Sequence, residues 1–201
     1  MIKNIISDLW CQVINNVLLN HNNYSSEKTL VFHFAWLLKH KLNEEITIID
    51  FEKQLFQEFS DGTFLDLYFE YNNQKIGIEF KFPKRSINGN SNSTQTRIKS
   101  INDIKRLSFL VNTNRIDLGV FLMAANEKAY VFEGNKRESP DFRTYNQIHY
   151  NEGITFPIHL IKSKEIVVNP INININWNGI NDHQIIESIA WINPIFIYKI
   201  K

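Results

Sequence analysis

A chain of 201 residues, 43% hydrophobic and 21% charged, is long enough for one ordinary core and too apolar for wholesale disorder. Its single cysteine, Cys11, excludes an intramolecular disulfide and cannot alone build a zinc site, which points to a reducing compartment. No apolar run reaches the roughly 18 residues that a spanning helix needs, and the first residues lack a secretory pattern, so a cytoplasmic location is expected.

Net charge is only +1, yet its distribution is uneven. Between Lys81 and Arg106 stand seven cations and one acid, Asp103, so this window carries +6 and the rest of the chain −5. A basic stretch of this kind attracts a polyanion. Taken alone, it reads more readily as a solvated helix face and a loop.

In chain order, apolar residues at Ile2, Ile5, Ile6, Leu9, Val13, Ile14, Val17 and Leu18 recur with helical spacing. Ser25 or Ser26 then caps a second predicted helix, Glu27 to Leu42. Ile46 to Ile49 is strand-like. After the Asp61-Gly62 turn signal come two strands, Thr63 to Tyr71 and Lys75 to Phe82. A polar loop leads into a helix from Gln95 to Val111, whose Lys99, Asn102 and Arg106 share a polar face. Ile116 to Ala124 and Ala129 to Phe132 read as strands, residues 133 to 152 as a loop-rich stretch, and Ile154 to Val168 as one or two strands. Ile171, Ile173, Ile175 and Trp177 alternate with asparagines, a period-two strand. Asp182 to Ile189 suggests a short helix, and Trp191 to Ile200 a last strand that Pro194 places near an edge. The expected fold is α/β, a mixed β-sheet flanked by helices, in one domain over 1–201 with a strand-rich extension at about 150–201.

The chemistry concentrates in the two central strands. Side chains alternate faces, so Leu65, Leu67, Phe69 and Tyr71 share one face of the first strand with Asp66 on the other. On the second, Ile76, Ile78, Phe80 and Phe82 oppose Glu79 and Lys81. A two-residue Asn72-Asn73 turn sets Asp66 opposite Glu79, with Cβ atoms about 5 Å apart. Two carboxylates that close repel unless a proton or cation lies between them. A hard divalent ion held by one or two carboxylates and several waters meets that need, and Lys81 adds a positive charge beside it. Phosphodiester hydrolysis uses these parts: a Lewis acid, an activated water and a cation for developing charge. The alternative is an amphipathic surface hairpin whose solvent face carries Asp66, Tyr68, Glu70, Lys75, Glu79 and Lys81.

Asp66, a gap of 12 residues and then Glu79-Phe80-Lys81 resembles the Asp…(Asp/Glu)-x-Lys signature of the PD-(D/E)XK, or restriction-endonuclease-like, nuclease superfamily. The order of elements over about 25–132 is similar to that superfamily's α-β-β-β-α-β core. The resemblance implies that Asp66 and Glu79 bind metal, that the Phe80 carbonyl is a further ligand and that Lys81 positions or activates water. It also implies that Glu27 matches the acid some members carry on the first core helix. Leu65 stands where the signature's proline would be.

The resulting expectation is a Mg2+-dependent nuclease, with Mn2+ able to substitute, acting on DNA in prokaryotic restriction or defence. Two alternatives remain open: a non-catalytic module that keeps the fold and binds nucleic acid or protein, and an RNA-directed nuclease. Lys84 and Arg85, just past Lys81, are the first candidates for phosphate contacts, followed by Arg97, Lys99 and Arg106 on the next helix. A homodimer, paired through the Ile171 to Trp177 strand, is a further open expectation.

Overall fold

The computed structural model describes residues 1–19, 26–55, 64–84, 93–133, 143–150, 156–159, 165–168, 173–182, 184–186 and 189–199. Two helices open the chain, α1 (Ile2–Leu19) and α2 (Glu27–Leu42). Ser26 caps α2 by accepting the Thr29 amide on its Oγ at 3.4 Å. Three antiparallel strands follow: β1 (Ile46–Lys53), β2 (Leu65–Tyr71) and β3 (Gln74–Lys81). Asn72 and Asn73 take φ of 47° and 60°, the left-handed pair that a tight two-residue hairpin turn requires. The register is the one that turn dictates, with Leu67 facing Ile78 and Phe69 facing Ile76.

Helix α3 (Ser93–Asn112) crosses over to β4 (Leu118–Ala125), which runs parallel to β3. Asp117 fixes the start of that pairing. Its amide donates to the Lys75 carbonyl, and its carboxylate accepts the Lys75 amide, both at 2.8 Å. The element order α2-β1-β2-β3-α3-β4 is thus present, and β1-β2-β3-β4 lie side by side in that order.

The rest of the chain adds α4 (Lys128–Val131), β5 (Ile148–Tyr150), β6 (Phe156–His159), β7 (Glu165–Val168), β8 (Ile173–Ile175), β9 (Trp177–Asn178), β10 (Ile180–Asn181), β11 (Gln184–Ile185), β12 (Ala190–Ile192) and β13 (Ile195–Ile197). Both β12 and β13 pair antiparallel with β4 on its free side, and β9 lies outside β12. Pro194 therefore divides the predicted last strand into two segments. The alternation from Ile173 to Trp177 holds, with Ile173, Ile175 and Trp177 buried, but β8 pairs with β5 of the same chain.

Two predicted elements differ. Ala129 to Phe132 is a helical turn, because consecutive Tyr130 and Val131 are both buried, which a helical turn allows and a half-buried strand does not. Asp182 takes φ of 34° and turns β10 back onto β11, where a short helix was expected.

The sheet separates two apolar clusters. One holds α1 and α2 against Leu67, Phe69, Ile76, Ile78, Phe80, Val120 and Leu122. The other holds α3 and α4 with Tyr68, Phe121, Met123 and the inward residues of the C-terminal strands. Trp10 ties α1 to β12 by donating its indole N–H to the Ile192 carbonyl at 3.0 Å. Leu65 leaves the predicted alternation and joins the α3 cluster, where its side chain covers Gly77.

Gly77 and Gly119 are partners in the β3–β4 ladder. A Cβ on Gly119 would meet the Leu107 Cβ at 3.0 Å, so α3 rests directly on the sheet here. That close approach brings the turn carrying Asp103 and Arg106 down onto β3. Gly119→Val should therefore lift α3 and destabilise the protein by about 1–3 kcal/mol, read from urea denaturation. A variant as stable as wild type would show that α3 does not depend on this contact.

Candidate active site

The alternation of β3 turns Glu79 and Lys81 towards α3. On α3, Ile101, Ile104 and Leu107 are buried, and the helical repeat places Asp103 and Arg106 one turn apart facing β3. Glu79 is only 1% exposed. Arg106 Nη2 lies 3.2 Å from Glu79 Oε1, and the same guanidinium pairs with Asp103. Lys81 Nζ lies 2.7 Å from Asp103 Oδ2 and donates to the Phe80 carbonyl at 2.8 Å. Glu27 Oε1 is 3.7 Å from the same ammonium.

Asp66 and Glu27 are held by backbone. The last β2–β3 partners in the ladder are Leu67 and Ile78. Beyond them the amides of Phe80 and Phe82 find carboxylates in place of strand carbonyls. Phe80 donates to Asp66 Oδ2 at 2.7 Å and Phe82 to Glu27 Oε2 at 2.9 Å. The buried amides are thereby satisfied, and two acids from β2 and α2 are fixed beside Glu79 and Lys81.

The six groups feel one another's charge. Glu79 is acted on by Asp103, Arg106, Asp66 and Lys81, and Glu27 by Lys81, Asp66 and Asp103. Four carboxylates against two cations leave this cluster with a formal charge of −2 when all are ionised. Burial, and next Asp103, push the Glu79 carboxyl well above the usual range, with Arg106 pulling the other way. Burial also raises Glu27, against the pull of Lys81 and the Phe82 amide. Burial disfavours the Lys81 ammonium, but Asp103, Glu27, Glu79 and Asp66 outweigh it and hold the pKa above its ordinary value.

The surface-hairpin alternative does not survive. Tyr68 is 3% exposed and α3 covers Glu79, so this face of the hairpin is interior at those positions, half-buried at Asp66, Glu70 and Lys81 and exposed at Lys75. Asp66, Glu79, Lys81 and Glu27 do converge, and the Phe80 carbonyl sits among them. The basic candidates divide. Arg106 belongs to the cluster itself. Arg97 is buried, donates to the Ala129 carbonyl at 2.6 Å and stacks over Tyr145, so it faces the interior. Lys84 lies 4.8 Å from the centre of the Phe82 ring, and Lys99 is exposed. Arg85 falls outside the described residues. Asp103 is the member whose role the sequence concealed. Its spacing of three from Arg106 is that of a pair within one helix, but it also reaches Lys81 across the sheet–helix boundary.

Among the described residues, no group of three or more His, Cys, Asp and Glu side chains comes close enough together to hold a metal ion. A hard ion here would have to rest on two carboxylates and backbone oxygen. No helix among the described residues is long and apolar enough to cross a membrane. No protein-family description, curated protein or solved structure matches the chain.

Two measurements probe the cluster. The Glu79 carboxyl is raised in the folded state, so between its ordinary value of 4.5 and its folded value the native protein binds more protons than the unfolded chain. Its contribution to stability is full below 4.5 and is lost as pH rises through the folded value. Denaturation of Glu79→Gln in EDTA should show a shallower fall in stability with rising pH than wild type. An identical slope would place Glu79 outside the coupled cluster. Arg106→Ala strips the cation from two buried carboxylates, and the cost should be about 3–5 kcal/mol. A loss below about 1 kcal/mol would mean that water reaches the pair.

Proposed function

We propose that the protein is a divalent-metal-dependent nuclease of the PD-(D/E)XK type that hydrolyses phosphodiester bonds in DNA. The observation that carries this reading is the gathering of four carboxylates and two cations in a mostly buried cluster built around Asp66, Glu79 and Lys81. The α2-β1-β2-β3-α3-β4 order supports it, with the acids at the end of the β2–β3 hairpin and α3 leading to a parallel β4.

The donors fit Mg2+, with Mn2+ as a substitute. They are hard oxygens only, two carboxylates (Asp66 and Glu79) and the Phe80 carbonyl, and a Mg2+ site usually keeps several waters and shares substrate phosphate. When bound, the ion would supply Lewis-acid polarisation and a water acidic enough to ionise near neutral pH. The protein's own groups do the rest. Asp66 is oriented by the Phe80 amide and Glu79 by Arg106. Lys81 keeps its proton because four carboxylates surround it, so it offers a fixed positive charge to a phosphate oxygen or to water. Asp103 and Glu27 hold that ammonium from two sides. Lys84 and Lys99 are the candidates for phosphate contacts further along the strand, with Arg85 as a third.

A second reading has one specific observation in its favour. Glu79 already has a cationic partner in Arg106, as in a purely structural ion network. A non-catalytic binding module would keep that network without metal.

Thermal melts separate the two. Wild type should gain stability with millimolar Mg2+ by mass action. Asp66→Asn should lose that gain while folding normally, and should not cleave. Lys81→Ala keeps both ligands, so it should retain the metal-linked rise and lose at least about a hundredfold in turnover. Plasmid, single-stranded DNA and RNA substrates beside these variants identify the polymer. A wild-type melt unchanged at saturating Mg2+ and Mn2+ would defeat the nuclease reading and favour the binding module.

A further inference from the structure

A recess opens beside the carboxylate cluster, between the first half of α2 and the end of edge strand β1. It encloses about 200 Å3, and Glu27 and Asp66 of the cluster form part of its lining. The remaining wall is aromatic. Phe32 and Phe51 lie with ring centres 4.8 Å apart, tilted by 42°, yet they are 59% and 37% exposed. Apolar side chains that large are normally covered, and two together beside a polar cleft mark a contact surface. Lys28 and Glu52 close the rim with an ion pair at 2.7 Å. Glu52 itself takes φ of 51°, an uncommon conformation for a non-glycine residue, within a strand whose register is kept on either side of it, Phe51 facing Leu67 and Lys53 facing Leu65.

The lining selects its occupant. Glu27, Glu52 and Asp66 against Lys28 make the recess acidic, so a phosphate is repelled from its interior. Aromatic faces accept the π-face of any base, and carboxylates accept hydrogen bonds from base amino groups. The volume lies below the roughly 300–1,000 Å3 of drug-sized sites and suits one ring system. A base held inside a duplex stack cannot enter a recess between a helix and a strand; an unpaired or extruded one can. We propose that this recess binds an unpaired nucleobase next to the phosphate at the carboxylate cluster, so that the substrate is an unpaired strand. The inference rests on the nuclease reading for the phosphate, but not for the binding of the base.

The experiment uses the full chain in EDTA, where hydrolysis is absent, and a short single-stranded oligodeoxynucleotide carrying one 2-aminopurine. Stacking should quench its fluorescence. Phe32→Ala and Phe51→Ala, at exposed positions, should each weaken binding about tenfold or more. Phe51→Leu, which keeps apolar bulk without the ring, should lose most of the same effect. An oligonucleotide with an abasic site in place of the probe base should bind as weakly as the variants. Equal binding by wild type and the phenylalanine variants, or by the abasic strand, would overturn the proposal. So would variants that alter only self-association in sedimentation, which would make the patch an interface between two copies. Metal-dependent cleavage with binding indifferent to Phe32 and Phe51 would remove the recess and leave the nuclease standing. Ring-dependent binding without any metal effect would do the reverse.

Discussion

A carboxylate buried as deeply as Glu79 must be neutralised, either by a proton or by a cation brought to it. Here the cation comes from α3. Arg106 reaches Glu79 at 3.2 Å because α3 lies almost in contact with the sheet, and it can do so because Gly119 leaves no side chain beneath Leu107. The tight helix–sheet contact and the buried ion cluster are therefore one constraint. Apolar packing of Ile101, Ile104 and Leu107 supplies the driving force, and the polar residues of the same helix complete the charges that β3 presents.

That arrangement also explains why β2 and β3 part where they do. A continued ladder would use strand carbonyls for the Phe80 and Phe82 amides. Asp66 and Glu27 replace them, so the hairpin's open end becomes a set of acids held by backbone hydrogen bonds. Oriented in this way, the acids need little reorganisation to meet a cation, the property expected of a preorganised site. The same opening leaves the recess between α2 and β1, lined by Phe32 and Phe51 together with Glu27, Glu52 and Asp66.

Local signals made much of the fold legible. The spans of α1 and α2 follow from apolar periodicity and from Ser26, and the hairpin register follows from Asn72 and Asn73, which tolerate positive φ. The alternation that placed Glu79 and Lys81 on one face needed nothing beyond the pleat. Errors fell where neighbours override local preference. Tyr130 and Val131 look like a strand until both must be buried under α3, and Asp182 sits in a helix-like run but makes a turn.

The sequence by itself determined which residues share a strand face and which acids a two-residue turn brings together, because both depend on contacts a few residues apart. It could not say whether that face meets water or protein. Only tertiary structure decided that, by laying α3 over the hairpin, turning Arg97 inward and joining Asp103 and Arg106 to Lys81 and Glu79 across some 22 to 27 residues of chain. The physical reason is that burial is a property of the whole packing. An ion pair across a sheet–helix boundary has no period that a linear pattern records.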